Sequence, residues 1–254
     1  MTGAVHTTPP GGTWPEPHQT RSPWRGICLA IGCIAGCFAV LLAFRAFAFQ
    51  TFSTPSSSMA PTLLVGDYFV VSKYAYGYSH FSLPFSPPLF AGRIFGAEPR
   101  RGDVAVFRLP RDPATDYVKR IVGLPGDRIQ MKDGALIING VPVQRERVDD
   151  FIDGDSGAHV KCWRITLPGG VSYLAIDLQD HGALDNTDVY IVPPGHYFML
   201  GDNLDNSTDS RVLRAVGYVP FENLVGRAEF IYFSLRDRNE PLAIRGERIG
   251  QMIR

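Results

Sequence analysis

Tyr117-Val118-Lys119-Arg120-Ile121-Val122-Gly123-Leu124-Pro125-Gly126-Asp127-Arg128-Ile129-Gln130-Met131-Lys132-Asp133-Gly134-Ala135-Leu136-Ile137-Ile138 reads as a strand, a break and a hairpin. Tyr117 to Val122 is rich in β-branched and aromatic residues and ends at a Gly-Leu-Pro-Gly-Asp cluster. Gly126 to Met131 then reverses at Lys132-Asp133-Gly134 into Ala135 to Ile138, because an Asp-Gly pair tolerates the positive φ of a tight hairpin. Working outward, Tyr68 to Val71, Asp103 to Phe107, Tyr190 to Val192, His196 to Leu200 and Ala228 to Phe233 are further short apolar runs bounded by turn residues. Helical periodicity is hard to find outside the N-terminal segment, and twenty prolines suit edges and turns better than helix interiors. The expected fold class is mostly β, built of coiled antiparallel sheets.

Before the strands comes an apolar segment. Gly26 to Phe44 carries no charge and continues past Arg45 to Phe49, about 20 residues or about 30 Å as a helix. It is longer than the apolar core of a secretory signal. The reading is a single transmembrane helix over residues 25–49. Arg21 and Arg25 precede it and Arg45 can snorkel at its far edge, which places residues 1–24, rich in Thr, Pro and Gly, as a disordered cytoplasmic tail. Residues 50–254 then form an extracytoplasmic domain, single-pass anchored in the inner (plasma) membrane and facing the periplasm.

The formal net charge is zero, which gives no argument for nucleic acid. Cys28, Cys33 and Cys37 fall in the membrane segment as small apolar residues. Cys162 is left as the one cysteine beyond it, so no internal disulfide is expected there. Residues 145 to 190 read as polar and irregular, an inserted lobe on the β core. Gly77 to Gly96 is a loop carrying Phe81, Leu83, Phe85, Leu89, Phe90, Ile94 and Phe95, either buried or exposed toward lipid.

Polar residues concentrate in Pro55-Ser56-Ser57-Ser58-Met59-Ala60-Pro61-Thr62-Leu63, in Asp116 to Arg120, and in Gly201-Asp202-Asn203-Leu204-Asp205-Asn206-Ser207-Thr208-Asp209-Ser210-Arg211. A serine nucleophile needs a base that is neutral at working pH. None of the six histidines sits in these blocks. Gly154-Asp155-Ser156-Gly157 looks like the nucleophile turn of trypsin-like proteases, but no histidine with that family's flanks precedes it and the composition is that of an ordinary turn. Lysine remains. Only four lysines (Lys73, Lys119, Lys132, Lys161) stand among 25 cationic residues. Strand alternation puts Lys119 on the face of Tyr117 and Ile121, where desolvation favours the neutral amine, while Arg120 points the other way. On spacing alone a solvated strand lysine fits as well.

The Pro55 to Lys73 block, with Gly66-Asp67 and Lys73-Tyr74-Ala75-Tyr76-Gly77, resembles bacterial type I signal peptidase, the Ser-Lys dyad serine protease family. So do Arg101-Gly102-Asp103, Tyr117 to Asp127, and Gly201 through Arg211, in that order. The resemblance implies that Ser58 is the nucleophile and Lys119 the general base. It implies an oxyanion hole from the Ser56 hydroxyl and the Ser58 amide, with Ser207 orienting the amine. Asp209 and Arg211 are implied as supports, and Asp202 and Asn203 as holders of the turn near the dyad. Phe52, Thr54, Ser56, Met59, Leu63, Tyr117 and Val118 map to the substrate pockets, which implies selection of small residues at minus-one and minus-three. The implied reaction is signal-peptide removal from exported preproteins, with no metal or cofactor. The implied partners are preprotein signal peptides and membrane lipid, with the enzyme acting as a monomer. Some Gram-negative members carry two spans and a larger lobe with a disulfide; one span, a short insertion and a lone Cys162 depart from that pattern. A specialised dyad peptidase maturing a narrow substrate such as a conjugative pilin is the alternative enzyme. A membrane-tethered β module without catalysis is the alternative from another class.

Overall fold

The structure, a computed structural model, describes residue 3 and residues 23–83, 86–154, 156–236 and 243–254. Most of the expected tail, Phe85 of the apolar loop and Asp155 lie outside the described residues. The chain divides into two units, Met1–Leu42 and Ala43–Arg254. Pro23–Phe47 is one α-helix, α1. Among the described residues no helix is long and apolar enough to cross a membrane. The expected helix is present, and its crossing of a membrane is not shown.

After α1 the chain is built of strands and single turns of 3-10 helix. A seven-stranded sheet takes β1 (Phe49–Ser53), β2 (Asp67–Ser72), β3 (Val104–Leu109) and β4 (Asp112–Gly123) together with β12 (His196–Leu200), β13 (Val219–Pro220) and β14 (Leu224–Ser234). Their spatial order is β1-β2-β14-β3-β4-β12-β13, with every neighbouring pair antiparallel. A four-stranded sheet, β11-β5-β6-β7, is made of β5 (Arg128–Lys132), β6 (Ala135–Ile138), β7 (Val141–Pro142) and β11 (Tyr190–Ile191). The Asp-Gly reversal between β5 and β6 holds: Asp133 and Gly134 take φ of 49° and 69°, the two positive values a type I′ hairpin needs.

The lobe is the correction. Residues 145 to 190, expected to be irregular, contain an antiparallel meander of β8 (Gln144–Ile152), β9 (His159–Thr166) and β10 (Ser172–Asp177). β9 alternates only over His159 to Cys162, where Val160 and Cys162 are buried, and shifts at Trp163 so that Ile165 faces another cluster, while β8 is exposed along most of its length. Free Cys162 packs there with Ala60, Val160 and Ile176.

Strand β4 is buried on both faces near its end. Tyr117 and Ile121 pack with Ala105, Phe107 and Met199 on one side, while Val122 joins the cluster of Ile129, Ile138 and Phe198 on the other. The segment after the first polar block is pinned by Asp67, which is fully buried. Its carboxylate accepts from Leu64 N at 2.7 Å, Ser234 Oγ at 2.6 Å and Arg248 Nη2 at 2.6 Å. One charge thus ties the turn behind the first polar block to β14 and to the C-terminal residues. Asp67→Ala is expected to cost about 3–5 kcal/mol, because it leaves Arg248 uncompensated. A lower urea midpoint at unchanged slope would register that loss.

Candidate active site

Ser58 lies in a single 3-10 turn, Ser57–Met59, that follows β1. It is 8% exposed, at the edge of the core rather than on the surface. Two contacts hold the turn from the 201–211 loop: Asn203 N donates to Ser58 O and Asn203 Nδ2 to Ser57 O, each at 3.2 Å. Asn206 Nδ2 adds a bond to Ser57 Oγ at 2.8 Å. Ser56 Oγ lies 3.3 Å from Ser58 Oγ.

Lys119 comes from β4, far along the chain, and its Nζ sits 2.7 Å from Ser58 Oγ. The amine also donates to Val118 O at 3.0 Å and lies 5.4 Å from the Tyr117 ring centroid. The side chain is 3% exposed. Burial pulls its pKa down to about 8; the carboxylates of Asp209 and then Asp202 oppose the fall, and Arg211 adds to it. A solvated strand lysine would keep its ordinary value, so the alternative left open by spacing alone does not describe this residue.

Arg120, one residue on, faces away from Lys119, as alternation requires, and is wholly buried. Its Nε and Nη2 bind both oxygens of Asp202 at 2.8 and 2.6 Å. Nη1 donates to Gly102 O at 2.8 Å, and the guanidinium lies 4.0 Å from the Tyr173 ring centroid. Thr62 Oγ1 donates to Asp202 Oδ2 at 2.5 Å. A second buried pair stands beside it: Arg211 Nε and Nη2 reach the two oxygens of Asp209 at 2.8 Å, and Asp209 also accepts from Gly201 N. These pairs shape the loop that holds Ser58.

The structure therefore brings Ser56, Ser58, Lys119, Asp202 and Asn203 together. Asp209 and Arg211 brace the loop from within. Ser207 differs from expectation: its Oγ is buried with no hydrogen-bond partner and lies against Gly201, where Ser58 O is also close. The amine is held by Ser58 and Val118 O instead. Of the pocket residues, Phe52, Met59, Leu63 and Val118 share one apolar cluster, Tyr117 packs in the neighbouring one, and Thr54 is buried. Ser156 lies in an exposed turn and bonds to Asp153, as turn composition suggests. Thr62, Asn206 and Tyr173 were not singled out in the sequence. A signal for Thr62 and Tyr173 lay in Arg120, since a buried guanidinium needs several partners. Among the described residues no group of three metal-ligating side chains is arranged to hold an ion.

The family model described as signal peptidase, peptidase S26, matches residues 27–233. A signal peptidase I of Rickettsia canadensis (strain McKiel) is 42% identical over 85% of this chain and 81% of its own length. One of Rickettsia typhi (strain ATCC VR-144 / Wilmington) is 43% identical over 78% of this chain and 76% of its own. A signal peptidase I of Enterococcus faecalis V583, known from a crystal structure, is 28% identical and matches 52% of this chain and 97% of that one with a TM-score of 0.31. With the family model running from α1 through β14 and relatives above 40% identity over most of both chains, this chain belongs to the signal peptidase family, peptidase S26, and so to the serine endopeptidases.

Proposed function

We propose that this chain is a membrane-anchored endopeptidase that removes signal peptides from exported preproteins through a Ser58–Lys119 dyad. The observation that carries the reading is the buried Lys119 amine at 2.7 Å from Ser58 Oγ with its pKa brought down to about 8. The neutral amine takes the Ser58 proton as Oγ attacks the scissile carbonyl carbon. Charge then gathers on the carbonyl oxygen, where the Ser56 hydroxyl and the Ser58 amide donate. The Lys119 ammonium returns its proton to the leaving amine and the C–N bond breaks. Lys119 next deprotonates a water, whose attack on the acyl carbon frees Ser58. Ser207, whose buried Oγ has no hydrogen-bond partner, is the proposed orienting residue for the amine.

Phe52, Thr54, Met59, Leu63, Tyr117 and Val118 form the proposed substrate wall. Met59 and Leu63 are fully buried behind the half-buried Phe52, Tyr117 and Val118, which are the proposed contacts for small residues at minus-one and minus-three. The helix α1 is the proposed anchor in the inner membrane, with the N-terminus cytoplasmic and the β unit outside. Its described side chains, Phe38 and Leu41 among them, are exposed, as lipid contact requires. The loop between Gly77 and Gly96 is divided: Phe81 and Phe90 are partly buried, while Leu89, Ile94 and Phe95 are exposed at 73%, 46% and 86%. Those exposed side chains are its proposed lipid contact.

Ser58→Ala and Lys119→Arg are each expected to lower cleavage of a preprotein by about 10⁴-fold or more with the fold retained, since guanidinium stays protonated at any working pH. The new N-terminus is read by sequencing. Substantial turnover by Lys119→Arg would mean that another group is the base.

Activity should rise with pH through about 8, as the Lys119 ammonium loses its proton. Tyr117→Ser admits water to the amine, which raises its pKa and moves this acid limb up by about one unit. An acid limb that does not move in Tyr117→Ser would remove Tyr117 from the group that desolvates the lysine.

A form lacking residues 1–47 is expected to bind phospholipid vesicles several-fold more weakly once Leu89→Ser and Phe95→Ser are combined. Equal binding, measured by co-flotation, would rule the loop out as a lipid contact.

A further inference from the structure

Asp177 ends β10, and the chemistry above makes no use of it. Its neighbour Ile176 forms a parallel bridge with Asn203: Ile176 N donates to Asp202 O and Leu204 N to Ile176 O, both at 2.9 Å. The last strand of the lobe is thus bonded to the loop that holds Ser58. One step along, Asp205 of that loop accepts from Leu178 N and Gln179 N at 2.7 and 3.0 Å. Asp177 at the end of the strand and Asp205 on the loop therefore both stand at the seam. Asp177 is 9% exposed, and its Oδ1 has no hydrogen-bond partner.

The other charged groups around Asp177 leave it uncompensated. Asp185, 6% exposed, accepts from Gly182 N at 2.6 Å and adds negative charge. Lys161, the register partner of Asp177 on β9, binds exposed Asp180 at 2.5 Å instead. A Cβ built on Gly134 would lie 3.7 Å from Asp177 Oδ2 and 3.8 Å from both Asp185 Cγ and Arg145 Nη1. Arg145, however, lies over the Trp163 ring at 4.7 Å, and among the described residues no ion pair includes Asp177. His181, the remaining titratable group, is exposed. The carboxylates are not arranged to hold a cation. A proton relieves their repulsion instead, and the Asp177 carboxyl is pushed up to about 6 by burial first, then by its hydrogen bond to Asp205 and the charges of Asp205, Asp185 and Asp180.

We propose that Asp177 is a positioning residue for the catalytic loop: it shares one proton with Asp205 across the seam between lobe and loop, and loss of that proton loosens Asp202 to Asp205 behind Ser58. The proposal rests on the reading that Ser58 and Lys119 do the chemistry. A carboxyl raised in the folded state stabilises it fully below about pH 4, the ordinary aspartate value. That contribution is lost as pH rises through about 6.

The test compares the full chain with Asp177→Asn, whose amide N–H donates to Asp205 at every pH, and with Asp177→Ala, which cannot donate. The melting temperature of Asp177→Asn relative to the unsubstituted chain should climb by about 4 °C between pH 4 and pH 7. Its kcat/KM relative to the unsubstituted chain should rise several-fold from pH 5.5 to 7.5, with the change in kcat. Asp177→Ala should fall several-fold below both at pH 5.5. A melting difference or a rate ratio that is flat across this range overturns the proposal, as does an Asp177→Ala protein matching Asp177→Asn. Melting needs no turnover, so it tests the seam even if an active Ser58→Ala protein were to sink the dyad reading. Flat melting beside a dead Ser58→Ala protein sinks the seam alone.

Discussion

The buried ion pair between Arg120 and Asp202 is the constraint on which the site depends. Both side chains are essentially inaccessible to water, so neither charge is tolerable without the other. Arg120 follows Lys119 on β4, Asp202 precedes Asn203 on the loop, and the Thr62 hydroxyl bonds to the same carboxylate from the segment that carries Ser58. Three stretches remote in sequence are held at fixed separation by one desolvated pair. Such a pair contributes little net stability against an apolar substitute; what it confers is a single arrangement of the groups attached to it.

The Lys119 environment follows from the same geometry. A lysine at the buried end of a strand packed on both faces has no water to carry its charge, and desolvation exceeds the attraction of Asp209 and Asp202. Those two carboxylates are already committed, Asp202 to Arg120 and Asp209 to Arg211, which blunts their pull on the amine. Pairing each nearby carboxylate with an arginine is thus part of keeping the lysine near neutrality. This differs from activation by a histidine, whose ordinary pKa needs little adjustment.

The lobe is joined to this centre rather than appended to it. Tyr173 covers the Arg120 guanidinium, and Ile176 is bridged to Asn203, so β10 contributes to both sides of the buried pair. A surface meander and the 201–211 loop share one layer of hydrogen bonds.

The sequence by itself determined what depends on near neighbours. The Asp133-Gly134 hairpin, the paired faces of β4 and the short apolar strands are period-2 and turn chemistry, and they lie where the residues say. The three polar blocks read as parts of one site, and the family resemblance pointed to Ser58, Lys119 and the 201–211 loop within them. What only the tertiary structure decided rests on distance and register. The lobe meander escaped notice because β8 has almost no buried face to set a period. The Arg120 partnership with Thr62, Gly102 and Tyr173 joins four remote segments, and no local spacing encodes that. The amine bonds to Ser58 and Val118 O rather than Ser207, because rotamers in a close-packed interior are settled by all neighbours together.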